Sequence, residues 1–134
     1  MKKNFLSRLT AICCAAAISA SLFSVTASAQ TATWELYKDQ TISYSTKIGL
    51  YTYGKINYLK TSSSSNDGVN LYLDYSLPGE GWNNALHVFA EKGCSASHTT
   101  PHRLSEKGSW RGNMNSWWWN GKNCRASGKI EAYN

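Results

Sequence analysis

The stretch Val69-Asn70-Leu71-Tyr72-Leu73-Asp74-Tyr75 alternates apolar and other side chains without a break. Successive side chains of a strand point to opposite faces, so a period of two fits a half-buried β-strand; a helix would repeat its apolar positions every three to four residues. Pro78-Gly79-Glu80-Gly81 supplies a four-residue turn, and a second apolar run follows from Trp82 to Glu91. Pairing outward from Leu77 opposite Trp82 sets Leu73 against Leu86, Leu71 against Val88 and Val69 against Ala90. Three apolar matches in one register support that hairpin, because a slip of one residue turns the whole set to the other face. The opposite face then carries Tyr72 across from His87, with Asp74 diagonal to the imidazole.

The same pattern extends along the chain. Strands are predicted at Thr33–Lys38, Ile42–Tyr53, Lys55–Lys60, Val69–Leu77, Trp82–Glu91, Asn113–Trp119 and Lys122–Tyr133, and no segment shows a sustained helical stripe. Residues 62–68, Ser-Ser-Ser-Ser-Asn-Asp-Gly, read as a flexible connection. The fold class is therefore all-β: a small antiparallel sandwich or partly closed barrel of about seven strands. Asn120-Gly121 is the favoured dipeptide of a tight hairpin turn. It predicts Trp119 facing Lys122, Trp118 facing Asn123, Trp117 facing Cys124 and Ser116 facing Arg125. Trp117 would then share the core side with Cys124, Ala126, Gly128 and Ile130. Trp118 would stand on a polar, basic strip with Met114, Ser116, Asn123, Arg125, Ser127 and Lys129.

The N-terminus sets the cellular context. Lys2, Lys3 and Arg8 precede an apolar stretch from Leu9 to Val25, and Ala27-Ser28-Ala29 follows. That order is the signature of a secretory signal peptide over residues 1–29, cleaved before Gln30, and it predicts a released, extracellular domain over residues 30–134. Thr10 and several serines interrupt the apolar stretch, which argues against a membrane anchor. Removing residues 1–29 leaves eleven basic and eight acidic residues, a net charge of +3. So mild and dispersed a charge argues against nucleic acid as the partner. Two cysteines remain, Cys94 and Cys124, and an even count in an oxidising compartment predicts a disulfide between them.

All six tryptophans and all eight tyrosines lie in residues 30–134. The run Trp117-Trp118-Trp119, flanked by Asn113, Asn115, Asn120 and Asn123, pairs flat rings with amides, a combination that stacks on sugars and hydrogen-bonds their hydroxyls. Trp118, Trp119, Ser116, Asn123, Arg125 and Lys129 are thus the candidate binding residues. His98 and His102 lie four apart, but Pro101 between them argues for an extended loop, and no metal or other cofactor is expected. That loop, tethered at Cys94 and carrying Arg103, would suit a protease inhibitor. His87 with Asp74, Glu91 or Arg103 would suit a small secreted hydrolase. No Gly-flanked serine, HExxH motif, phosphate loop or closely set carboxylate pair supports catalysis. The expectation is a non-enzymatic secreted effector or binding domain that engages a cell-envelope glycan or protein. A bacteriocin-like antibacterial protein and a carbohydrate-binding module are its two sharper forms.

Overall fold

The computed structural model describes residues 28–116 and 123–134, and all regular structure there is strand. The strands are β1 (Gln30–Leu36), β2 (Ile42–Tyr44), β3 (Ile48–Thr61), β4 (Val69–Ser76), β5 (Asn83–Ala90), β6 (Ser95–Ser116) and β7 (Ala126–Tyr133). They form one antiparallel, unclosed sheet in the order β1-β7-β3-β6-β4-β5, with β2 paired to β6.

The sheet folds over on itself because β6 serves two halves. Its first part, Ser95 to Trp110, pairs with β3, and its last part, Ser109 to Ser116, pairs with β4 on its other edge. Across the fold, Leu36, Ile56, Leu59 and Ile130 of one half and Val69, Leu71, Leu73 and Met114 of the other are buried in one core. Two glycines let the halves close. A Cβ on Gly112 would lie 1.9 Å from the Trp34 ring, and one on Gly54 would lie 2.5 Å from the Trp110 ring. Each indole therefore rests on bare backbone. Trp34 Nε1 donates to the Ser43 carbonyl at 3.3 Å and the Ser43 hydroxyl donates to the Glu35 carbonyl at 2.7 Å, so side chains rather than a ladder link β1 to β2. Trp110 is fully buried and donates to the Tyr51 carbonyl at 3.0 Å.

The first hairpin forms as expected from Val69 to Leu73: Val69 faces Ala90, Leu71 faces Val88, Tyr72 faces His87 and Leu73 faces Leu86. Beyond Leu73 the register shifts, and Asp74 pairs with Asn84. One extra residue, Ala85, sits in β5 as a bulge, and every side chain before it changes face. The expected Leu77–Trp82 pair is consequently absent, and Trp82 stands on the outer face. Leu77-Pro78-Gly79-Glu80 is a tight turn, closed by Glu80 N–H donating to the Leu77 carbonyl at 3.0 Å, with Gly79 at φ +81°. Proline second and a left-handed glycine third are the requirements of a type II turn.

Three expectations are corrected. The expected strand from Ile42 to Tyr53 is broken around Ser45, whose N–H donates to the Gly112 carbonyl while its hydroxyl accepts from the Gly112 N–H; β3 then runs on to Thr61. Among the described residues β6 and β7 share no ladder: Ser116, expected opposite Arg125, pairs with Val69. Both edges of β7 are taken by β1 and β3, and both edges at the end of β6 by β2 and β4. The third is the disulfide, since Cys94 and Cys124 are free thiols, one exposed and one buried. Cys94 precedes β6 and Cys124 precedes β7, and these strands flank β3 on opposite sides, at Lys60–Ser95 and Thr61–Ala126. Two strand spacings separate such positions by roughly 9–10 Å, beyond the roughly 7 Å Cα span that a disulfide bridges.

Candidate functional site

The face of β6 that points away from the core carries Arg111, Asn113 and Asn115, alternating with inward Trp110, Gly112 and Met114. Its neighbours extend this face into rows across four strands. Ile42, Asn115, Asn70 and Phe89 make one row, and Tyr44, Asn113, Tyr72 and His87 the next. Arg111, Asp74 and Asn84 make the third. Amides and rings thus dominate the outer surface of β2, β6, β4 and β5.

Polar groups on this face hold one another in place. His87 Nε2 lies 2.7 Å from Asn70 Oδ1, and Asn70 Nδ2 donates to Asn115 Oδ1 at 3.4 Å. The His87 ring stacks on Tyr72 with centroids 4.5 Å apart. Burial disfavours the imidazolium and holds the His87 pKa below its ordinary value. The expected meeting of His87 with Asp74 does not occur. Asp74 accepts instead from Arg111 Nε at 3.4 Å and from Asn84 at 3.5 Å, because β6 places Arg111 directly opposite it. Arg111 Cζ sits 4.6 Å from the Tyr44 ring centroid and 4.2 Å from that of Trp82. Tyr44 approaches from β2 and Trp82 from the residue before β5, on opposite sides of β6, and both are substantially exposed, Tyr44 at 51% and Trp82 at 36%. Asn113 Oδ1 is buried without a hydrogen-bond partner among the described residues.

The residues expected to bind fall elsewhere. Trp118 and Trp119, with the Trp117–Cys124 pairing and the Asn120-Gly121 turn, lie outside the described residues. Arg125 and Asn123 are exposed and Lys129 is half-buried on the outer side of β7, as the alternation with buried Cys124, Ala126, Gly128 and Ile130 requires. Met114 and Ser116, assigned to the same strip, are instead buried, because β6 turns that side inward against β4. Asn123 adopts a left-handed backbone at φ 69°, with its N–H donating to the Lys38 carbonyl at 2.7 Å. Arg125 and Ser127 line an open groove of about 910 Å³, together with Tyr37, Lys38, Lys60 and Ser63 among others. A hydrogen bond to Glu35, and the charge of that carboxylate, raise the Tyr37 pKa at its rim.

Residues 95–104, expected as a solvated loop, are strand: His98 pairs with Ile56, His102 with Gly54 and Arg103 with Tyr53. Pro101 is tolerated because this part of β6 has no second ladder partner among the described residues and its pairing with β3 is irregular there. His98 and His102 stand four residues apart on an extended chain, roughly 13 Å. His98 bonds the Thr100 carbonyl at 3.0 Å, and His102 stacks on Tyr75 at 5.8 Å. This segment is thus a strand of the sheet with no disulfide at Cys94.

The sequence of this chain matches no known protein family and no curated protein. In structure it is similar in outline to the Yersinia pseudotuberculosis-derived mitogen, at 15% identity and a TM-score of 0.46 over 81% of this chain and 88% of that one. It is similar in the same way to PirA, at 10% identity and 0.45 over 78% and 93%. The capsid structure of Helicobacter pylori bacteriophage KHP30 gives 7% identity and 0.49 over 82% and 90%. No role passes from these proteins to this chain.

Proposed function

We propose that this chain is a secreted, non-enzymatic binding domain that engages a cell-envelope polysaccharide through the outer face of β2, β6, β4 and β5. The observation that carries the reading is the set of amides and rings in register on that face, Asn84, Asn113 and Asn115 with Tyr44, Tyr72 and His87, and the Trp82 ring beside them. Amides offer both donor and acceptor to sugar hydroxyls, and exposed rings cover the apolar face of a pyranose. A killing role against other bacteria is the effector form of the same binding. Purified protein should be retained by at least one envelope polysaccharide, and Tyr72→Ala with Asn113→Ala should abolish retention while the melting transition stays cooperative. Retention unchanged in that double variant overturns the assignment of the face.

A second reading places the ligand in the groove at Arg125, because Arg125, Lys38 and Lys60 converge there with Ser62, Ser63 and Ser127. Arg125→Ala with Lys60→Ala removes binding if the groove is the site, and leaves it intact if the sheet face is.

A further inference from the structure

We infer that Arg111 is the anion-recognising subsite of the outer face, and that the saccharide it takes is acidic, carrying a carboxylate or a sulfate ester. The inference rests on the polysaccharide reading above and narrows it. Arg111 is held from three directions: Asp74 takes its Nε, and the Tyr44 and Trp82 rings approach within 4.6 and 4.2 Å. A guanidinium fixed in this way keeps its planar fork in one orientation, so less side-chain freedom is lost when a ligand binds. Its two terminal nitrogens donate to no other described residue, and Arg111 retains 26% side-chain exposure while Asp74 keeps 12%.

The subsite therefore offers donors and hides its acceptor. A neutral sugar hydroxyl facing this fork could accept but would have no partner for its own proton, whereas a carboxylate or sulfate oxygen only accepts and matches the fork with two parallel bonds. The exposed rings of Tyr44 and Trp82 flank the fork and give the sugar carbons an apolar surface. Arg111→Lys preserves the charge but not the fork, so it separates recognition by geometry from recognition by charge.

The test compares polygalacturonate, its highly methyl-esterified form and dextran sulfate as ligands in titration calorimetry with the purified protein. Methyl esterification caps the carboxylates and keeps the sugar backbone. Arg111→Gln should weaken binding of the acidic ligand by about ten- to a hundredfold, the scale of hydrogen bonds to charged groups. Arg111→Lys should not restore it, and the esterified polymer should bind wild type as weakly as the acidic one binds Arg111→Gln. Preference between polygalacturonate and dextran sulfate identifies the carboxylate or the sulfate ester as the source of the oxyanion. Lys107→Gln removes the same unit of charge at an exposed position in neither proposed site, so equal weakening by that variant would show attraction to net charge and overturn the subsite. Trp82→Ala leaves the Arg111–Asp74 pair intact and should weaken binding several-fold, which keeps the test decisive if Arg111→Gln fails to fold. Equal binding of esterified and acidic polymers overturns the inference and leaves the polysaccharide reading standing. Absence of binding to any polysaccharide overturns both.

Discussion

The two outer faces of the folded sheet follow the same alternation and spend their polar groups differently. On the β1-β7-β3 face the charges meet one another. Lys55 pairs with Glu131 at 3.3 Å and lies over the Tyr133 ring, Asn57 donates to the same carboxylate at 2.9 Å, and Arg103 lies over Tyr53. Tyr53 and Tyr133 stack with centroids 5.4 Å apart. On the β2-β6-β4-β5 face Arg111 is also paired, through Nε to Asp74, but it stands among amides and exposed rings with its terminal nitrogens directed at no described residue. A group whose partners come from adjacent strands stabilises its own sheet, whereas an ordered group with unused donors is prepared for something outside the molecule.

The comparison can be broken first at the core that both faces share. Trp110→Ala removes a fully buried indole lying on Gly54, and should cost about 3–5 kcal/mol in urea unfolding. Gly112→Val places methyl groups where the Trp34 ring now rests and should cost about 1–3 kcal/mol or more, measured the same way. If Gly112→Val is as stable as the parent, Trp34 does not bridge the halves as described. The outer faces should respond more weakly in stability and differ in function. Trp82→Ala should cost about 1 kcal/mol or less and reduce polysaccharide retention. Lys129→Ala on the other face should cost within about 0.5 kcal/mol and leave retention unchanged. Loss of retention in Lys129→Ala would exchange the roles of the two faces.

The smallest effect is titration. His87 has a folded pKa below 6.5, so on acidification the unfolded chain takes that proton first; stability falls as pH drops from 6.5 to the lowered value and is flat beyond it. Glu131 is depressed below 4.5, first by the Asn57 hydrogen bond and then by Lys55, so its contribution is present above 4.5 and lost as pH falls through the folded value. Thermal melts against pH should show the His87 step vanish in His87→Gln and the Glu131 step vanish in Glu131→Gln. A single step that survives both variants would contradict the separation.

Much of the fold was legible because alternation is a local property. Val69 to Leu73 pairs with Leu86 to Ala90 as its pattern requires, and buried Cys124, Ala126, Gly128 and Ile130 alternate with outward Arg125, Ser127 and Lys129. The candidate site was legible only in kind. Asn113 and Asn115 stood out beside the tryptophan run, but Arg111, Tyr44 and the outward turn of Trp82 did not. A signal for Arg111 existed in the alternation of Trp110, Gly112 and Met114 with Arg111, Asn113 and Asn115, and placing Met114 and Ser116 on the polar strip concealed it.

What the sequence determined by itself was periodicity: strands rather than helices, the inner and outer sides of β4 and β7, and the Pro78-Gly79 turn. Periodicity says which residues share a side, but not which strand lies next to which. Tertiary structure decided that β7 enters between β1 and β3, because non-local edges compete for each strand and a strand has only two. That choice set β6 and β7 on opposite sides of β3, kept Cys94 from Cys124, and made β6 the strand that joins the halves. The bulge at Ala85 turned Trp82 outward to meet Arg111, a change of one residue in register that no local pattern records, since a bulge is specified by the packing of both strands around it.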